Sequence, residues 1–80
     1  MSAVTFTTTI GTPGASRLRD SSARLTAEQF LTVAAARHSA RVELGLHSDM
    51  LQSYMAFTAE QARAVAAELL SCADALQWRD

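Results

Sequence analysis

The sequence predicts a small two-layer α+β domain, element order β-α-β-β-α, with a mostly antiparallel sheet carrying both helices on one face. Three observations predict it. A run of alternating β-branched residues lies near the N-terminus, TAEQ occurs twice at the head of an alanine-rich segment, and between the two copies apolar residues recur at every second position. A mainly α domain with a strand-like N-terminal tail is the alternative reading. Residues 1–80 make one domain, with a flexible loop at about 11–24.

The first element is VTFTTTI, residues 4–10. In an extended chain Val4, Phe6, Thr8 and Ile10 share one face and Thr5, Thr7 and Thr9 the other. The following GTPGASRLRDSS holds Gly11, Pro13 and Gly14, then small polar and charged residues, and predicts a turn opening into a mobile loop.

At the first TAEQ, Thr26 has the chemistry of an N-cap and Gln29 that of its reciprocal partner, with Leu25 and Phe30 placed as a hydrophobic staple. Phe30, Val33 and Ala34 then recur at helical spacing, so a helix is expected from about Ala27. The second TAEQ repeats the signals through Thr58 and Gln61, and Ala62, Val65, Ala66, Leu69, Ala73 and Leu76 trace a longer stripe. The two segments diverge where Arg37 and His38 stand against Leu69 and Leu70, so TAEQ is read as a repeated helix start and not as a repeated unit.

Between the helices, Val42, Leu44 and Leu46 alternate with Arg41, Glu43 and Gly45, and a strand is expected there. A second is expected where Leu51, Ser53, Met55 and Phe57 oppose Gln52, Tyr54 and Ala56. The orphan N-terminal strand also needs a hydrogen-bonding partner, which supports extended chain over a continuous helix in this region.

Composition narrows the function classes. The net charge is -1, all seven basic residues are Arg, and the second half carries six of the eight acids. Such a balance disfavours a protein that holds nucleic acid mainly by neutralising phosphates. One cysteine, Cys72, permits no intramolecular disulfide and is expected to pack in the core, and a reducing, cytoplasmic setting follows. His38 and His47 lack metal-ligand spacing, GTPG lacks the length and Lys of a phosphate loop, and no membrane-spanning run is present. No catalytic residue, metal or cofactor is assigned.

The expectation is a non-enzymatic protein-interaction module, an inhibitor or regulatory subunit acting on a nucleic-acid-handling complex. Its candidate partner-binding residues are Arg17, Arg19 and Arg24 in the loop, Tyr54 opposite the apolar side of its strand, and the terminal Trp78. Another protein is the expected partner, with a homodimer as one form of it. The alternative is a nucleic-acid-binding regulator that uses the same Arg-rich loop.

Overall fold

The computed structural model describes residues 4–77. Five strands follow one another, β1 (Thr7–Ile10), β2 (Arg17–Arg24), β3 (Phe30–Ala36), β4 (Arg41–His47) and β5 (Gln52–Phe57), before a single helix, α1 (Ala59–Gln77). Each strand pairs antiparallel with the next, giving an up-and-down sheet of order β1-β2-β3-β4-β5.

This order corrects the expected β-α-β-β-α domain with two helices. Residues 30–36 form β3 because extended chain places Leu31, Val33 and Ala35 opposite Leu46, Leu44 and Val42 of β4. The apolar spacing of FLTVAAA fits a helix or a strand, and cross-strand pairing on both sides decides for the strand. Residues 17–24, expected in a mobile loop, form the strand that partners β1, with Thr8 opposite Ser21 and Ile10 opposite Arg19. Their polar composition hid the alternation, since the inward positions are filled by the small Ser21 and Ala23.

The first TAEQ is a turn. Thr26 and Gln29 exchange backbone hydrogen bonds across the β2–β3 connection, and the Thr26 hydroxyl accepts from the amide of Glu28. The second TAEQ is the expected capping box: the Gln61 amide donates to Thr58 Oγ1 at 3.1 Å, and the Thr58 amide donates to Gln61 Oε1 at 2.9 Å. The same four residues thus serve a hairpin once and a helix once.

Two further turns follow local chemistry. Ala15 donates to the carbonyl of Thr12 at 3.0 Å while Gly14 has φ 86°, the left-handed residue that a type II Pro-Gly turn requires. In the β3–β4 connection that role falls to Ala40, at φ 56°, where a side chain is strained.

Directly opposed residues share a face, so the register divides the sheet into two surfaces. One carries Leu31, Val33, Ala35, Val42, Leu44, Leu46, Met55 and Phe57, together with Ile10 and Ala23. The other carries Thr7, Thr9, Asp20, Ser22, Thr32, Glu43, Tyr54 and the ends of the Arg17 and Arg24 side of β2. An irregularity between Arg17 and Arg19 shifts β2 by one position, which places Arg17 opposite Ala36 and Arg19 opposite Ala35.

α1 does not close a second layer. It touches only β4 and β5, and Ala62 alone among its residues is half buried. The stripe expected to be buried, Val65, Leu69 and Leu76, is exposed, Leu69 to 67%. Among the described residues only Ala23 and Ala34 are buried hydrophobics, and the apolar sheet face has nothing packed over it as a layer. The radius of gyration of 14.4 Å exceeds the roughly 12 Å of a closed chain of this length.

Candidate functional site

The sheet and helix present two surfaces of opposite character. On the polar face, Phe30 of β3 pairs with His47 of β4, and their rings stack with centroids 4.3 Å apart and planes within 5°. Tyr54 of β5 meets His47 edge-on at 5.4 Å and is 65% exposed. The cluster is seated over Gly45, which lies opposite both Thr32 and Tyr54. A Cβ there would come within 2.8 Å of His47 Nε2 and 3.1 Å of Tyr54 Cε1, and nearer still to Thr32 Oγ1. Absence of a side chain at Gly45 is therefore what admits the three neighbours. Thr32 Oγ1 lies 3.4 Å from His47 Nε2, while His47 Nδ1 is buried with no partner among the described residues.

Farther along the same face the Arg17 guanidinium bridges two carboxylates, Asp20 at 3.2 Å and Glu43 at 3.8 Å. These acids flank Ala34 in one cross-strand row, which accounts for the burial of so small a residue on an open face. Both pairs are about half exposed, so their net contribution is small, under about 1 kcal/mol each.

The opposite face is a continuous apolar surface interrupted mainly by Thr8, Ser21, Ser53 and Arg19. Thr8 and Ser21 satisfy one another through a 3.0 Å hydroxyl hydrogen bond. At the end of the sheet nearest His47, the β2–β3 and β4–β5 connections enclose a mainly apolar hollow of about 290 Å³ lined by Leu25, Leu31, Leu46 and Leu51.

The residues expected to bind a partner are distributed over these surfaces and not gathered. Arg19 lies in a row with Ile10, Ala35, Val42 and Phe57 on the apolar side. Arg17 and Arg24 lie at opposite ends of β2 on the polar side, about 20 Å apart. Arg17 is occupied by acids, and Arg24 donates to the carbonyl of Ala27 at 2.9 Å. Tyr54 stands exposed on the polar face as its alternation implied, and Trp78 lies outside the described residues. Cys72, expected in the core, is exposed at the edge of the helix stripe and its thiol donates to the Glu68 carboxylate at 3.4 Å.

Sequence reasoning missed Phe30 and His47 as surface residues because it placed Phe30 on a helix. Continuing the alternation of residues 41–46 by one position puts His47 opposite the apolar series, and that was the available signal. Among the described residues no cluster of His, Cys, Asp or Glu has the arrangement to hold a metal ion, and no helix is long and apolar enough to cross a membrane. Compared with protein-family models, curated proteins and solved structures, the chain matches none of them.

Proposed function

We propose that this chain is a non-enzymatic protein-interaction module that works by covering, and being covered by, a protein surface. The observation that carries the proposal is the apolar side of the sheet, where Ile10, Leu46 and Met55 are exposed and Leu31, Val33, Val42 and Leu44 are only half buried, together with the exposed stripe of α1. Its surface of 6620 Å² is about 1,900 Å² more than the roughly 4,700 Å² of a closed protein of 8.6 kDa. With Leu46, Met55, Leu69 and Leu76 exposed on it, apolar surface of this kind marks an association site. A regulatory or inhibitory role is the form we give this, since a chain built mainly of surface acts by occupying another surface.

Site-specific photo-crosslinking in the native host tests it. A benzophenone side chain at Met55 or Leu69 is expected to trap a discrete protein adduct, whereas the same group at Ser22 on the polar face traps none. Equal labelling from all three positions, or none from the first two, contradicts the proposal.

A second reading is supported by the polar face. Phe30, His47 and Tyr54 make an aromatic platform on adjacent strands, with Arg24 directly opposite Phe30 in the register. Exposed rings on a sheet stack on unpaired bases, and one nearby guanidinium suits a phosphate. This moves the nucleic-acid alternative from an Arg-rich loop to the sheet surface. A mobility-shift titration with single-stranded oligonucleotides checks it: Tyr54→Ala should weaken binding about 10-fold, and no binding to wild type at low salt removes it.

A further inference from the structure

We propose that the protein surface covering the apolar face is a second copy of this chain, with α1 of each protomer laid across the apolar side of the other protomer's sheet about a two-fold axis. The inference rests on the interaction-module reading and names its partner.

Area is the first argument. An excess of about 1,900 Å² per chain, removed from two chains, comes to about 3,800 Å², inside the range of obligate homodimer interfaces and above that of transient contacts. The second is that one chain supplies both halves of the contact. From Ala62 to Leu76 the stripe spans about 21 Å, and a strand the length of β3 or β4 spans about 23 Å. Helix and sheet face are thus matched in length, and each is apolar on the side the other needs.

Third, the connection favours docking in trans. Thr58 is the sole residue between β5 and α1, and its reciprocal hydrogen bonds with Gln61 fix the angle at which the helix leaves. Thr58 and Ala62 are half buried beside the sheet while Val65, Leu69 and Leu76 point into solvent, so the helix departs from its own sheet within about two turns. An isologous pairing makes the helix–sheet contact twice, once in each direction, which closes the assembly at two chains.

The test uses the full chain and two variants, Leu69→Glu on the helix and Met55→Glu on the sheet. Sedimentation equilibrium of wild type is expected to give twice 8.6 kDa, and each variant alone should dissociate about 100-fold more readily. Mixing the two variants should restore a heterodimer, because one helix–sheet contact then remains free of either substitution. Far-UV circular dichroism monitors folding of the variants, and the wild-type mass decides the central point if one of them fails to fold. A wild-type mass of 8.6 kDa at every concentration overturns the proposal. So does a dimer whose two variants fail to complement, since helix–helix or sheet–sheet pairing then joins the chains. A monomer that still gives photo-adducts with another protein from Met55 overturns the self-pairing and leaves the interaction-module reading standing. A monomer that gives none removes both.

Discussion

Gly45→Ala perturbs the polar face at its most constrained point. The added methyl would sit 2.8 Å from His47 Nε2 and 3.1 Å from Tyr54 Cε1, with Thr32 Oγ1 nearer still. Ordinary van der Waals separation is about 3.5–4.0 Å, so three side chains on three strands must move together. Two effects oppose one another. Alanine recovers about 0.5–1 kcal/mol of backbone entropy that glycine loses on entering a strand. Overpacking of this kind costs about 1–3 kcal/mol, and displacing Thr32 from His47 forfeits a 3.4 Å hydrogen bond worth about 0.5 kcal/mol at that length. The steric terms win, and a net destabilisation of about 1–2 kcal/mol is expected. Urea unfolding at fixed protein concentration measures it as a lowered midpoint with unchanged slope. Adding Thr32→Ala removes the nearest obstacle, so the double variant should be more stable than the sum of the two single effects by about 0.5 kcal/mol or more. A Gly45→Ala protein as stable as wild type, or additivity with Thr32→Ala, refutes the steric account of the cluster.

The two left-handed turn residues should respond with opposite signs. Gly14→Ala is expected to cost about 1 kcal/mol, whereas Ala40→Gly should be neutral or stabilising by up to about 1 kcal/mol, because relief at φ 56° offsets the added chain entropy; thermal unfolding compares them. The two TAEQ threonines should differ as well: Thr58→Ala removes a helix cap and is expected to cost about 1 kcal/mol, and Thr26→Ala in the hairpin turn less than half of that. Equal losses at the two positions would show that the turn and the cap are not distinguished as described. Arg17→Ala should change stability by less than about 1 kcal/mol despite its two carboxylate partners, since both ion pairs are exposed; the same urea titration measures it.

Single elements were legible where a local signal outweighed its rival, although the overall order was not. Strict alternation from Val42 to Leu46 placed β4, the β-branched run placed β1, and the Thr58–Gln61 box with its long stripe placed α1. Residues 26–36 carried two consistent signals at once. Thr26, Gln29 and the Phe30, Val33, Ala34 spacing satisfy a helix, while Leu31, Val33 and Ala35 satisfy a strand, and only the neighbouring strands choose between them. β2 was obscured for a different reason. Its inward residues are Ser21 and Ala23, which fit beside Thr8 and Leu31 but contribute no hydrophobic alternation for a reader of sequence. Of the candidate site, the alternation of residues 51–57 put Tyr54 opposite the Met55 side, as in β5, whereas the sequence alone did not show that Arg17 and Arg24 stand at the two ends of β2 on the polar face and Arg19 on the apolar face. Burial of the α1 stripe was inferred from its pattern, and a pattern states that a face will be covered without stating by which chain.

Sedimentation equilibrium of the purified wild-type chain over a dilution series tests the central claim most directly. With the apolar sheet face and the α1 stripe satisfied by a second copy, the mass should stay at twice 8.6 kDa well below micromolar concentration. A single species of 8.6 kDa throughout contradicts it.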